Sequence, residues 1–341
     1  MQVSTIGIDL AKSVFQVHGV DAAGKVVLTK KLRRSQVRTL FEKLPPCLVG
    51  MEACATAHHW ARELKSLGHD VRLMPASYVK AYVKRGKNDA ADAAAICEAV
   101  TRPSMRFVPI KTIEQQSALM LHRTRDLLVR QRTQLINAMR AHLAELGLVA
   151  AQGRDGLKAL ISIVTDETSP IPTLARKALQ ALLSQLRALA QQIGEIERHV
   201  HALHRSSEAS QRLETIPGIG VIGATAIAAT VSDPTVFKSG REFAAWIGLV
   251  PRQNSSGGKE RLGSISKQGN RYLRRLLIVG ATAVIRHARA HPEKHAWLMQ
   301  LLARRPAKLV AVALANKMAR IAWAVLARGG TYRAPVLAAP V

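Results

Sequence analysis

Eight apolar residues between positions 179 and 203 recur at alternating intervals of three and four residues. This feature restricts the fold most, because such a register held over more than three heptads predicts a long helix with a narrow apolar stripe. The residues are Leu179, Leu182, Leu186, Leu189, Ile193, Ile196, Val200 and Leu203. A second stretch, 115–146, has a helical pattern too. The loop between the two stretches is predicted from Gly153, Gly156, Pro170 and Pro172.

The two long helices allow two interpretations. They lack the apolar width that a core helix of a globular domain usually shows. This favours an antiparallel coiled-coil arm over 111–205, which dimerises or separates two domains. The alternative is two helices packed inside one domain.

Short apolar runs alternate with helical patterns in the first 110 residues. Strands are predicted at 3–9, 14–20, 25–32, 47–51 and 69–74, with a turn at 21–24 that joins the second and third strands as a hairpin. Helices are predicted at 35–43, 57–67 and 88–100, the last capped by Asn88. This order predicts an α/β domain with ribonuclease-H-like topology, followed by a helical region.

The charge of the chain indicates a polyanionic partner. Its 341 residues include 50 Lys or Arg and 23 Asp or Glu, which gives a net charge of +27, and 48% of the chain is hydrophobic. A disordered basic tail would contain far fewer apolar residues, and an enzyme of small neutral metabolites has no use for such a field. Residues 251–341 hold 17 of the cations and only two acids. We therefore expect a folded protein that binds nucleic acid.

Other compositional features narrow the class further. The three cysteines show no CxxC spacing, which predicts neither disulfides nor a structural zinc site. Aromatic residues make up 4% of the chain, so base stacking on an aromatic platform is not expected. The longest uninterrupted apolar runs reach 10 or 11 residues, whereas a membrane span needs about 20. A reduced cytosolic protein that does not enter a membrane is predicted.

Four acidic residues are candidates for metal-dependent chemistry. Asp9 ends the first predicted strand, Glu52 follows the strand 47–51, and Asp89 and Asp92 share one face at a helix start. In a ribonuclease-H-like sheet these positions converge. Close carboxylates repel one another unless cations neutralise them, and two Mg²⁺ or Mn²⁺ ions about 3.5–4 Å apart can promote phosphodiester cleavage. Taken singly, each acid has an ordinary explanation at a strand or helix end.

A turn with two glycines joins two helical patterns after residue 206. Ile216-Pro217-Gly218-Ile219-Gly220 runs into the small-residue stretch 221–231, which is typical of a helix-hairpin-helix. Gly218 and Gly220 would let backbone amides approach a phosphate without an intervening Cβ. A simple turn between helices is the alternative.

The segment 248–275 is predicted to form a small flexible loop that carries two serines and is surrounded by cations. Its serines are interpreted either as donors to a bound phosphate or as a nucleophile for a DNA phosphate, and the residues alone leave both open. The nucleic-acid-binding candidates are Gly218, Gly220, Arg252, Lys259, Arg261, Lys267, Arg271 and Arg274. The histidines at 58–59 and at 199, 201 and 204 lack partners at metal-ligand spacing, and we expect the second group to be solvated.

With these motifs assembled, the chain resembles the DEDD transposases of bacterial insertion sequences, the family numbered one hundred and ten, which includes the Piv invertases. The resemblance extends over the full length. Gly7-Ile8-Asp9, Glu52 and the segment 88–92 resemble its RuvC-like domain, and 248–275 resembles its C-terminal transposase domain. It implies domains at 1–110, 111–205 and 206–328, with a loose tail at 329–341.

The resemblance also implies roles for individual residues and partners. Asp9, Glu52, Asp89 and Asp92 would be the catalytic, metal-binding tetrad, and Ser256, which precedes Gly257, would be the catalytic serine. A shift of one residue would select Ser255 instead. The implied cofactor is Mg²⁺ or Mn²⁺, as two ions. The implied partners are donor DNA, target DNA and a non-coding bridge RNA, in a homodimer or homotetramer whose active site combines domains of two subunits. The implied location is the bacterial cytoplasm, at the nucleoid.

Three other functions were weighed. A resolvase-type nuclease would use the four acids but not the serine as a nucleophile. A sugar-kinase or actin-like fold would need glycine-rich phosphate loops that do not follow Asp9. An architectural nucleic-acid-binding protein would explain the charge but not the acids.

Overall fold

The structure, a computed structural model, describes residues 2–83 and 88–334. The chain divides into two units, with the boundary between Ile113 and Glu114. The part of the predicted tail from 335 to 341 lies outside the described residues. Residues 329–334 are not loose, because the Tyr332 amide donates to Thr215 Oγ1 at 2.9 Å and its ring packs on the second core.

The first unit is a five-stranded sheet flanked by helices. Its elements are β1 (Thr5–Leu10), β2 (Val14–Val20), β3 (Val26–Arg33), α1 (Val37–Glu42), β4 (Leu48–Glu52), α2 (Ala57–Ser66), β5 (Asp70–Met74), α3 (Ala76–Val79) and α4 (Asp89–Val100). The strand order is β3-β2-β1-β4-β5. β1, β2 and β3 are antiparallel neighbours, whereas β4 runs parallel to both β1 and β5. The predicted mixture of strands and helices is confirmed here, and so is the Asn88 cap, whose side chain accepts from the Ala91 amide.

Two glycines allow α4 to lie directly on one face of this sheet. Gly7 in β1 and Gly50 in β4 are opposite one another. A Cβ on Gly7 would lie 2.2 Å from the Ala93 carbonyl oxygen, and one on Gly50 would lie 2.8 Å from the Val100 Cβ. The other face packs on α1 and α2 through a cluster that includes Ile6, Ile8, Val49, Phe41, Trp60 and Leu64. Because side chains alternate along a strand, residues two positions after each glycine also lie on the α4 face.

The second unit is helical apart from one hairpin. Its elements are α5 (Ile113–Ala144), α6 (Arg154–Thr165), α7 (Thr173–Ser206), α8 (Glu208–Glu214), α9 (Val221–Thr230), α10 (Gly240–Ile247), β6 (Pro251–Gln253), β7 (Leu262–Ile265), α11 (Arg271–Ala290), α12 (Ala296–Arg304) and α13 (Ala307–Arg328). The two long helices are therefore those predicted from the apolar spacing. That these helices form a coiled-coil arm for dimerisation stays a prediction.

The predicted loop between α5 and α7 is wrong over 154–165, which form α6. Leu157, Leu160, Ile161 and Val164 are spaced as one helical face, and they pack against α5 and α7. Gly153 and both prolines lie outside α6, but Gly156 lies within it. A Cβ on Gly156 would lie 1.6 Å from the Ala151 carbonyl oxygen, so this glycine serves a close approach of the backbone rather than a loop.

The prediction that the histidines on α7 are solvated is wrong for His204. His199 and His201 are exposed, but His204 is buried. Its Nδ1 lies 2.8 Å from Ser210 Oγ and its Nε2 lies 2.9 Å from Glu214 Oε2. The reason is that α8 packs back on the end of α7. These contacts join α7 to α8. Because Ser210 is fully buried, the Ser-His-Glu arrangement offers no nucleophile to a substrate.

The last helix, α13, is long and apolar enough to cross a membrane by length and composition, the only such helix in 2–83 and 88–334. No long uninterrupted apolar run marks α13 in the sequence, because Lys317 and Arg320 divide its apolar residues. It contributes Val310, Leu314 and Met318 to the core of the second unit. A core helix of a globular protein has the same composition.

Candidate functional site

The carboxyl ends of β1 and β4 bring acidic side chains to one edge of the first unit's sheet. Asp9 follows Gly7 by two positions and Glu52 follows Gly50 by two, so both acids lie on the face covered by α4. Asp92 lies in the first turn of α4. A pattern of glycine, any residue and acid occurs in both strands, at Gly7-Ile8-Asp9 and at Gly50-Met51-Glu52. This repeat is a sequence signal that the two acids share a face, and the sequence prediction named only its first copy.

The electrostatics of Glu52 indicate that three of the four predicted acids are close together. Burial raises the pKa of the Glu52 carboxyl above its ordinary value, and the negative charges of Asp9 and then of Asp92 raise it further. Asp89, the first residue of α4, is exposed and is not among the groups that act on Glu52. The structure thus places Asp9 and Asp92 near enough to Glu52 for their charges to act on it, whereas Asp89 has no such effect.

The serine segment of the second unit is a β-hairpin, not the flexible loop that was predicted. β6 and β7 pair antiparallel, and Ser256 bridges to Lys259 across the turn. Gly257 and Gly258 form the turn with φ of 56° and 75°. Two successive residues with positive φ are what a tight hairpin turn demands, and glycine adopts that conformation without strain.

The two serines at this turn differ in their contacts. Ser255 Oγ accepts a hydrogen bond from the Arg261 amide at 3.1 Å, which helps to close the hairpin. Within the part of the chain that the structure describes, Ser256 Oγ makes no hydrogen bond, and the residue is exposed. The two exposed hydroxyls thus differ in one contact, since Ser255 Oγ accepts from the Arg261 amide.

Most of the predicted cations around the hairpin are exposed. They are Arg252, Lys259, Arg261, Lys267 and Arg271. Arg274 differs, since it is buried and its Nη1 donates to the carbonyl oxygens of Ile247 at 2.7 Å and Gln268 at 2.6 Å. Burial lowers the pKa of Arg274, and Arg271 adds to this effect. The contacts of Arg274 join the end of α10 and the base of the hairpin to α11.

The two glycines of the turn between α8 and α9 have different surroundings. Gly218 has a φ of 88°, and a Cβ there would lie 2.8 Å from the Met318 Cε and 3.0 Å from the Gly280 carbonyl oxygen. Gly220 precedes the first residue of α9, is exposed, and has no atom near its Cβ position. Gly218 thus serves packing between helices, whereas Gly220 leaves the N-terminus of α9 open to solvent.

Comparison with known proteins finds two family models that match separate parts of the chain. A family model described as "Transposase", of the DEDD type of IS110, matches residues 6–147. A second model, "Transposase IS116/IS110/IS902 family", matches residues 210–296. The first match contains the acids and the second contains the serine hairpin.

Relatives match over nearly the whole chain. A probable family 20 transposase of Pseudomonas aeruginosa is 53% identical over 98% of this chain and 99% of its own. The transposase for insertion sequence element IS1111A of Coxiella burnetii is 43% identical over 97% of this chain and 92% of its own. The transposase for insertion sequence element IS1328 of Yersinia enterocolitica is also 43% identical, over 97% and 98%. Such matches define an enzyme of DNA strand transfer, a transposase. The chain belongs to the IS110 family of these enzymes.

A DEDD transposase generally uses a divalent metal ion, and the first unit offers ligands of the right chemistry. In 2–83 and 88–334, no group of three or more His, Cys, Asp or Glu side chains is placed closely enough to hold a metal ion as the structure stands. However, carboxylate oxygens are the ligands that hard divalent cations prefer. Burial raises the pKa of the Glu52 carboxyl most and the negative charges of Asp9 and Asp92 raise it further, and a cation would relieve the part that is repulsion. The residues present therefore fit such an ion.

Proposed function

We propose that this transposase cleaves and rejoins DNA strands as a site-specific recombinase that moves an insertion sequence. The observation that carries the proposal is the convergence of Asp9, Glu52 and Asp92 at one sheet edge. The strand order, with three antiparallel strands followed by two parallel ones, supports a ribonuclease-H-like, RuvC-like domain over 1–110. The coiled-coil arm (111–205) and the serine domain with its helix-hairpin-helix (206–328) complete the proposed organisation.

The acids are proposed as the ligands of two Mg²⁺ ions, with Mn²⁺ as a substitute. Asp9, Glu52 and Asp92 would hold them, and Asp89 at the rim of the site would complete the tetrad. Bound ions would supply charge that stabilises the attacking and leaving oxygens of a phosphodiester. The chain itself contributes rigidity, since the close contact of α4 with Gly7 and Gly50 fixes three carboxylates on one face.

Ser256 is proposed as the nucleophile. Its Oγ would form a bond to the phosphorus of a DNA strand as the bond from phosphorus to one deoxyribose oxygen breaks. The serine releases its proton and the leaving oxygen takes one up, so the step needs no other reactant. A hydroxyl of the second DNA partner would then reverse the chemistry. The exposed position of Ser256 and the five exposed cations of its hairpin support this role.

The partners are proposed to be donor DNA, target DNA and a bridge RNA that pairs with both. The net charge of +27 suits binding of two kinds of nucleic acid. Delegating sequence choice to base pairing suits a protein with many phosphate-binding cations. We further infer a homodimer or homotetramer that works at the nucleoid in the bacterial cytoplasm.

Trapping of a protein–DNA adduct tests the proposed serine chemistry. The full-length protein, with its copurifying RNA, both DNA partners and Mg²⁺, should yield a covalent adduct that resists denaturant. Ser256→Ala should abolish the adduct, whereas Ser264→Ala, at an exposed serine of the same hairpin, should retain it. If only Ser255→Ala abolishes the adduct, the nucleophile is Ser255. Cleavage by the Ser256→Ala variant at the wild-type rate, with no adduct from either protein, would instead favour the resolvase-type nuclease.

A further inference from the structure

A basic pocket lies in the first unit, apart from the acids. It has a volume of about 700 Å³ and its walls include Lys12, Ser13, Arg33, Arg34, His59 and Trp60. We call these six residues the basic pocket. Lys12 and Ser13 form the turn between β1 and β2, Arg33 ends β3, and the aromatic residues belong to α2. Three side chains of the pocket thus carry a fixed positive charge.

The cations of the basic pocket are not neutralised by nearby acids. Within 2–83 and 88–334, no carboxylate forms a salt bridge with Lys12, Arg33 or Arg34. Other arginines of this unit do have such partners, as Arg38 contacts both Glu42 and Glu63. Uncompensated cations at a concave surface concentrate the positive field and attract anions.

The wall of the basic pocket is held in place by aromatic contacts. The Arg34 guanidinium lies 5.3 Å from the Trp60 ring and 5.7 Å from the Phe15 ring, and these two rings meet edge to face at 5.2 Å. The Arg34 amide also donates to the Ser13 carbonyl oxygen at 3.1 Å, which joins the end of β3 to the β1–β2 turn. A cation held in this way loses little conformational entropy when it binds an anion.

The basic pocket and the acids lie at the same ends of the strands, although Trp60 packs on the α2 face of the sheet and the acids lie on the α4 face. Lys12 follows Asp9 by three residues, and α2 begins five residues after Glu52. β3 is two strands from β1, which corresponds to about 10 Å at the usual strand spacing. One DNA strand rises about 3.4 Å per nucleotide, so this span covers about three nucleotides.

We propose that the basic pocket binds a backbone phosphate of the DNA strand that the carboxylates cleave, a few nucleotides from the cleaved bond. This inference rests on the proposed function for its choice of DNA. The pocket would hold the strand across the sheet edge while the acids act on it. Because its residues contact phosphate and not bases, it would bind without regard to sequence.

A salt series of binding measurements tests the proposal. The full-length double variant Lys12→Ala/Arg33→Ala is compared with wild type by fluorescence anisotropy on a short DNA duplex and on an RNA of unrelated sequence. The matched control is Lys25→Ala/Lys65→Ala, which removes two exposed cations from elsewhere in the unit. Loss of the one phosphate contact that the pocket supplies should reduce the slope of log affinity against log salt by about 0.9. The control should lose much less.

The outcomes separate the proposal from its rivals. A smaller slope for DNA in the pocket variant alone supports it, and the single variant Lys12→Ala should then show a smaller reduction of the slope than the double variant. An unchanged DNA slope, an equal loss in the control, or a loss for RNA alone would each overturn it. Single Lys12→Ala also serves if the double variant does not fold. A reduced DNA slope in a protein whose wild type performs no strand exchange would refute the proposed function and leave the pocket standing.

Discussion

His122 should make the second unit sensitive to acid. It lies on α5 with an exposed fraction of 1%, and its Nδ1 is 3.2 Å from the Tyr272 hydroxyl of α11. Its Nε2 is buried with no hydrogen-bond partner in the part of the chain that the structure describes. Burial lowers the pKa of His122 to about 4, and the charge of Arg125 contributes to this. The imidazole therefore stays neutral in the folded protein at neutral pH.

The magnitude follows from the difference between folded and unfolded pKa values. An unfolded histidine titrates near 6.5, so between that pH and about 4 the unfolded chain binds more protons than the folded chain. Stability contributed by neutral His122 is thus complete above about pH 6.5 and falls as the pH is lowered. At about 1.4 kcal/mol per pKa unit, the loss should reach about 3 kcal/mol near pH 4.

Denaturant unfolding at about pH 7 and about pH 4 measures this loss. Of the four tryptophans, Trp246, Trp297 and Trp323 are in the second unit, so fluorescence follows mainly its unfolding. His122→Gln should lose about 3 kcal/mol less between the two pH values than wild type. His142→Gln, at an exposed histidine of the same helix, should behave as wild type. An undiminished acid loss in His122→Gln would refute the assignment of the loss to this residue.

Three further predictions concern the packing of both units and the proposed contacts with DNA. Gly50→Ala should destabilise the first unit by about 1–3 kcal/mol in thermal unfolding, and Val100→Ala should partly restore it; no loss would mean that α4 does not pack as described. Gly220→Ala should leave the stability of the protein unchanged but weaken its DNA binding in a filter assay. Binding as tight as that of wild type would show that the turn before α9 does not bind a DNA phosphate. Arg274→Met should destabilise the second unit by about 1–3 kcal/mol because two carbonyl oxygens lose their donor. Arg271→Met should weaken DNA binding and leave stability unchanged. Equal stabilities of the two variants would contradict a structural role for Arg274 and a binding role for Arg271.

The fold of the first unit was largely accessible from the sequence because its strands and helices are short and their patterns are regular. Predicted and observed strand bounds differ by at most two residues, as for the strand predicted at 47–51 and found at Leu48–Glu52. Helix α6 was missed because Gly156 was taken as a loop signal. The contact that makes Gly156 necessary, with the Ala151 carbonyl, is between backbones and leaves no trace in the apolar pattern.

The candidate site was predictable in its residue types but not in its arrangement. Strand-end positions indicated Asp9 and Glu52, and the helix start indicated Asp92. Sequence could not indicate that Arg274 is buried while the neighbouring Arg271 is exposed, because both follow one capping residue in a run of cations. Nor could the sequence indicate the basic pocket, because Lys12 and Arg34 line the same pocket only when β2 pairs with β3.

Strand exchange by a variant of one carboxylate tests the central claim most directly. Asp92→Asn removes one charge from the converging acids, and Asp70→Asn makes the same change at an exposed position on the opposite sheet edge. With copurifying RNA, both DNA partners and Mg²⁺, wild type and Asp70→Asn should exchange strands, and chelation of the metal should stop both. Asp92→Asn should lose exchange while binding DNA as tightly as wild type. Full exchange by Asp92→Asn would contradict the assignment of the converging carboxylates as the catalytic site.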